Sequence, residues 1–145
     1  MRAEARFTLE GRPEAVRAAI ALVMKSPPLG GLDPEHLQAA ELVLAEVLNN
    51  IVEHAYRGEG GRVDLHLRRR GGRVIYCQIS DYGRPLASGV LPAGVAPRPE
   101  ELAEGGYGWF LIRSLARDLC YFRQGNRNTL GFSLPPAAAL RLRDS

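Results

Sequence analysis

Three short stretches of this chain combine residue types and spacings that can do chemistry. The first is Glu46, Asn50 and His54, spaced i, i+4, i+8. On a helix that spacing stacks a carboxylate, an amide and an imidazole along one flank. A solvated flank more naturally carries long Lys, Arg or Glu side chains. The adjacent pair Asn49-Asn50 also costs helix propensity without a structural return. The plain alternative is an amphipathic helix with incidental polar residues. A zinc-protease site is not supported, because Glu53-His54 has no second His four residues away.

The second stretch is Asp81-Tyr82-Gly83-Arg84-Pro85, directly after a strongly apolar strand-like run. An Asp followed by Gly at a strand end serves either turn chemistry or a ligand. The third is Gly105-Gly106-Tyr107-Gly108-Trp109, at the start of a helical pattern. Glycines there let the backbone approach a ligand closely, and unpaired helix-start N–H groups attract phosphate oxygens. A flexible joint is the plain alternative. The dinucleotide fingerprint G-x-G-x-x-G and the P-loop pattern are both missing, which excludes the two common nucleotide folds.

The elements that must position these residues can be read from periodicity and punctuation. Arg6–Glu10 alternates as a first strand, and a helix with Pro13 near its first turn carries Val16, Ile20, Val23 and Met24. Asp33 suits an N-cap with Pro34 after it, and the spacing predicts a long helix to about Tyr56. Its apolar face is Leu37, Ala40, Leu44, Leu48, Ile51 and Ala55, with the polar flank beside Val43 and Val47. Strands follow over 62–69 and 74–80 around Gly71-Gly72. A proline-bearing irregular stretch from Asp81 to Gly105 reads as a lid or disorder. A helix over 107–117 and a hairpin of 119–124 with 128–134 close the chain. The expected fold is α+β: a two-layer α/β sandwich, its sheet mixed and mostly antiparallel, with helices on one face. Residues 1–135 form the single domain and 136–145 a loosely held tail.

Composition narrows the classes. The chain has 145 residues, 46% of them hydrophobic and 24% charged, which suits one ordinary globular core and not a disordered chain. No run approaches the ~18 apolar residues of a membrane span. Charges in the first six residues argue against an export signal, so a cytoplasmic location is expected. The net charge of +3 gives little reason for a nucleic-acid partner. Arg68-Arg69-Arg70 sits at an expected turn, where a solvated hairpin end accounts for it. Cys77 and Cys120 lie in apolar strand-like runs without metal-type spacing and are expected as buried reduced thiols.

Taken together and in this order, the three stretches resemble the nucleotide-binding boxes of the GHKL ATPase superfamily, and most of all RsbW-like anti-sigma-factor serine kinases. Glu46 to Tyr56 is similar to the family's N box, with Glu, Asn, His and Tyr in register. Asp81 to Pro85 resembles the next box, although Pro85 stands where gyrase-like members have a second glycine. Gly105 to Leu115 resembles the phosphate-side box, and Asp118 to Thr129 the final hairpin.

That resemblance implies ATP as substrate and Mg²⁺ as its companion. It makes Glu46 the general base and Asn50 the metal ligand. Asp81 would receive the adenine amino group over a floor kept open by Gly83. Gly106 and Gly108, with the backbone of Tyr107 and Trp109, would cradle phosphate, and Thr129 would reach the base side. His54 would either contact the site or serve packing. The implied activity is serine phosphorylation of a STAS-type antagonist (anti-anti-sigma) protein, with a sigma factor as second partner and a homodimer as an open option. The alternative is a non-catalytic ATP-binding module that sequesters its partner.

Overall fold

The computed structural model describes residues 2–92, 107–137 and 139–140. Its elements, in order, are β1 (Arg2–Glu10), α1 (Pro13–Val23), α2 (Pro34–Asn50), a π-helical turn (Ile51–Ala55), β2 (Arg62–Arg70), β3 (Ile75–Asp81), α3 (Tyr107–Leu115), β4 (Arg117–Gln124) and β5 (Arg127–Leu134). The five strands form one sheet in the order β1-β2-β3-β5-β4. The sheet expected to be mostly antiparallel is antiparallel at every pairing. β1 starts four residues earlier than its alternation indicates, because Arg2 to Ala5 continue the ladder against Arg70 to Leu67.

Period-two alternation gives the sheet one apolar face. Phe7, Leu65, Ile79, Leu130 and Tyr121 form one cross-strand row, and Ala5, Leu67, Cys77 and Phe132 another. Against this face α2 buries Ala40, Val43, Leu44, Val47 and Leu48, and α1 buries Val16, Ala19 and Val23. α3 adds Ile112 to the same core, completing a two-layer sandwich. Asp33 caps α2 as its residue type indicates, its Oδ1 accepting from the His36 backbone N–H at 2.8 Å with Pro34 in the first turn. Gly125, with φ +61°, takes the first central position of the two-residue turn between β4 and β5, where a side chain would be strained.

Alternation also separates the two cysteines. Cys77 points into the core, where burial pushes its thiol up to about 12. Cys120 lies on the opposite face and is exposed, contrary to expectation, because it shares its parity with exposed Asp118 and Phe122. Beyond β5, Leu140 is buried. No helix among the described residues is long and apolar enough to cross a membrane.

Candidate functional site

The apolar face turns polar at one end of the sheet. The last cross-strand row runs Leu9, Val63, Asp81, Asn128, Arg123. Above it lies a cavity of about 400 Å³, within the usual range for small-molecule sites. Asp81 and Asn128 line its floor with Ile79 and Leu130. Val47, Asn50, Ile51, His54 and Ala55 form one wall, and residues 84–87 with Val90, Pro92 and Trp109 form the other.

Asp81 is buried, and both of its protein hydrogen bonds fall on Oδ1: one from the Gly83 backbone N–H at 2.9 Å and one from Asn128 Nδ2 at 2.8 Å. Among the described residues nothing donates to Oδ2, which leaves that oxygen as an acceptor for a ligand. Burial raises the Asp81 carboxyl pKa; the hydrogen bonds from Asn128 and Gly83 and the Arg123 charge pull it back down. Gly83 does not line the cavity. A Cβ there would lie 2.4 Å from the Ala55 carbonyl oxygen, and the next residue, Arg84, donates its N–H to that same oxygen at 2.9 Å. The glycine is thus needed where the second box meets the end of the π turn.

The π turn departs from the uninterrupted helix that the sequence suggests. The Tyr56 N–H reaches back to the Ile51 carbonyl, one residue beyond the α pattern. The wider turn places Ala55 O against Gly83, while His54 points outward with 70% of its side chain exposed at the cavity mouth. Tyr56 latches the turn: its hydroxyl donates to the Arg62 carbonyl and accepts the Tyr82 N–H, and its ring fills the space left by Gly61 and Gly11.

The other end of the cavity belongs to α2 and α3. Asn50 lines it, and its Nδ2 is buried without a partner among the described residues. Glu46, one turn earlier and half-buried, lies against the start of α3. A Cβ on Gly108 would sit 2.6 Å from Glu46 Oε2 and 3.9 Å from Asn50 Oδ1. A side chain on Gly108 would push the Glu46 carboxylate aside. The unpaired Asn50 Nδ2 is a donor and, with the glycine at a helix start, suits phosphate oxygens, whereas a metal would be held through the Asn50 Oδ1. No three His, Cys, Asp or Glu converge among the described residues, so any metal here would lean on phosphate and water.

The geometry brings together Glu46, Asn50, His54, Asp81, Gly108 and Trp109. Trp109 adds a side chain to the wall as well as backbone to the helix start. Tyr107 opens α3, but its side chain is exposed and stacks near Phe110, with ring centroids 5.5 Å apart. Gly105, Gly106 and most of the suspected lid lie outside the described residues. Thr129 is not in the cavity. It faces the opposite side of the sheet, its hydroxyl 3.0 Å from that of Ser80. The pocket residue is its neighbour Asn128, and the signal was legible: Leu130, Phe132 and Leu134 alternate inward, so residue 128 shares their face and 129 does not. By the same parity Tyr121 and Arg123 face the site from β4.

The comparisons with known proteins bear on family and fold. A family model described as histidine kinase-like ATPase domain matches residues 9–134. Among solved structures, the histidine kinase domain of the blue-light activated histidine kinase of Erythrobacter litoralis EL346 superposes with TM-score 0.54 and 20% identity. That match covers 89% of this chain and 61% of the other. A second structure of that kinase gives TM-score 0.54 and 21% identity, covering 83% of this chain and 39% of the other. The chain thus spans about three-fifths or less of those structures, and at such identity the likeness is one of fold. No curated protein matches.

Proposed function

Because the chain belongs to the histidine kinase-like ATPase domain family, we propose that it binds ATP in this cavity and acts as a serine protein kinase and partner switch. Its protein substrate would be a STAS-type antagonist, and the second partner a sigma factor. The observation that carries the reading is a single cavity with a free carboxylate oxygen at one end and an unpaired amide at the other. Both groups line the same cavity, an acceptor for an amino-bearing base and a donor for a phosphate tail. The register of Glu46, Asn50, His54 and Tyr56 with the RsbW-like N box supports the finer assignment.

In this reading Asp81 Oδ2 accepts a hydrogen from the adenine amino group, while Ile79, Leu130 and Ile51 enclose the ring. Asn50 and the first turn of α3 hold the phosphate end. Mg²⁺, when bound, neutralises phosphate charge, with Asn50 as its protein ligand. The substrate serine oxygen attacks the γ-phosphorus, the bond to the β–γ bridging oxygen breaks, ADP leaves, and the serine proton passes to the Glu46 carboxylate. Phosphoryl transfer depends mainly on such positioning and charge stabilisation.

One observation favours a second reading. Glu46 lies outside the cavity lining, against Gly108. A module that binds ATP and sequesters its partner without transferring phosphate needs no base in the cavity. Incubation with γ-labelled ATP and the STAS-type proteins of the same genome separates the two. Label on a serine of one of them supports the kinase. Retained binding of ATP and partner without label supports the sequestering module.

A further inference from the structure

We propose that Asn128 is the positioning residue that sets base specificity and at the same time anchors the adjoining wall, with Tyr121 and Arg123 of edge strand β4 as its supports. The inference rests on the reading of the cavity as a nucleotide site. Asn128 is almost fully buried. Its Nδ2 lies 2.8 Å from Asp81 Oδ1, 3.1 Å from Gly83 O and 3.2 Å from Arg84 O. Its Oδ1 accepts from the Tyr121 hydroxyl at 3.0 Å and from Arg123 Nη1 at 2.8 Å.

An amide offers two N–H donors and one oxygen with two lone pairs, so this inventory is spent within the protein. Asn128 therefore acts on a base only through Asp81. Its own orientation is forced, because Arg123 can only donate and a flipped amide would face it with another donor. The consequence falls on the carboxylate. With Oδ1 held by two N–H groups, the plane is fixed and Oδ2 presents acceptor character alone. Adenine's amino group suits that oxygen; the carbonyl of guanine at the same place would meet it acceptor to acceptor.

The same network reaches the wall. The Tyr121 hydroxyl that donates to Asn128 also accepts the Leu86 N–H at 3.0 Å, and Arg123 Nη1 lies 3.1 Å from Gly83 O. Pro85, Leu86 and Ala87 line the cavity, so one buried amide ties the base-reading carboxylate to the segment covering the base. The charged and titratable groups around Asp81 among the described residues are Arg123 and Tyr121 from β4, Arg84 from the wall, His54 across the cavity mouth and Tyr56 after the π turn.

The test measures ATP and GTP affinity by calorimetry between pH 5 and 8, with melting temperatures, for the unaltered protein, Asn128→Ala and Tyr121→Phe. The unaltered protein should prefer ATP. Asn128→Ala should lose roughly 5- to 150-fold in ATP affinity, the cost range of an unmade buried hydrogen bond. GTP affinity should change less, so the preference contracts. The pH at which ATP binding fades should also move up, since a hydrogen bond that holds the Asp81 carboxyl down is gone. Tyr121→Phe should move both readouts the same way by less. A folded Asn128→Ala that keeps the preference and the pH profile overturns the proposal. If that variant does not fold, Tyr121→Phe decides alone: contraction supports the proposal, and an unchanged ratio and profile overturn it. An unaltered protein that binds neither nucleotide overturns the nucleotide reading itself, a failure distinct from losing only the role of Asn128.

Discussion

The two ends of the cavity are built on opposite plans. At the base end, Asp81, Asn128, Tyr121, Arg123 and the 83–86 backbone form a closed network in which one carboxylate oxygen is left over. At the phosphate end, Asn50 keeps an unpaired amide nitrogen, and the nearest carboxylate, Glu46, has no hydrogen bond to Asn50 or α3 among the described residues. A base is uncharged and small, so recognising it needs fixed geometry. A phosphate tail brings its own charge, and the protein serves it by withholding bonds until it arrives. On the proposed function the first end is fixed by its hydrogen bonds before binding, and the second would be completed by its ligand.

The largest expected effect tests the completed end. Glu46→Gln keeps size and hydrogen-bonding capacity but removes basicity. If Glu46 is the general base, phosphate transfer to the antagonist falls by roughly 10²–10⁴ while ATP affinity persists. Transfer at a near-normal rate would reduce Glu46 to a packing partner of Gly108. Loss of ATP affinity together with transfer would make it part of the binding end.

Next in size is Asp81→Asn. The N–H groups of Asn128 and Gly83 oblige the new amide to keep its oxygen at the Oδ1 position. Its NH₂ then faces the base, donor against the adenine amino group. ATP affinity should drop by about 5- to 150-fold, and GTP, which offers a carbonyl there, should gain on ATP. Unchanged ATP affinity in a calorimetric titration would remove Asp81 from base reading.

The two glycines sharpen the contrast through stability. In Gly83→Ala the new Cβ meets the Ala55 backbone carbonyl, which cannot move without unsettling the π turn, so a loss of about 1–3 kcal/mol is expected in denaturant unfolding. In Gly108→Ala the nearest atom is the far end of Glu46, which can swing aside. Stability should fall less, while phosphate transfer falls because the displaced carboxylate is the proposed base. Equal destabilisation by both changes would break the distinction between a fixed end and an adaptable one.

Much of this site was legible in the sequence, and the residues show where legibility stopped. The i, i+4 spacing of Glu46 and Asn50 places them on one flank whatever the tertiary fold, and capping by Asp33 depends only on local chemistry. The π turn has no such signature, since Ile51-Val52-Glu53-His54-Ala55 contains neither Gly nor Pro and reads as ordinary helix; its cause is tertiary, the meeting of Ala55 O with Gly83. The family resemblance points to the hydroxyl of Thr129, whereas the cavity is lined by its neighbour Asn128. The inward parity of Leu130, Phe132 and Leu134 favoured the amide, but its pairing with Asp81 required the β3–β5 register. The Tyr121 link to Leu86 joins elements 35 residues apart and leaves no local trace.

A smaller effect separates metal from nucleotide at the phosphate end. Asn50→Ala removes the amide oxygen and leaves Asp81 and its network intact. ATP affinity should fall more with Mg²⁺ present than with EDTA. Equal losses in both would make Asn50 a phosphate contact only.

The smallest effect is a divergence with pH, and it belongs to the base end alone. Burial holds the Asp81 carboxyl above its unfolded value. The folded protein therefore binds more protons than the unfolded chain between those two values. In that window this group's contribution to stability grows as pH falls and shrinks as pH rises, opposite in sign to a paired surface carboxylate. ATP affinity should run the other way, because the protonated carboxyl places a hydrogen where the base needs an acceptor, and the decline is bounded at about tenfold per pH unit for a single proton. Parallel titrations of melting temperature and ATP affinity should thus part company through the window, and Asp81→Asn should flatten the affinity curve there. A parallel decline of both curves in the unaltered protein would mean that acid acts on the fold as a whole, and that the base end is less insulated than its closed network implies.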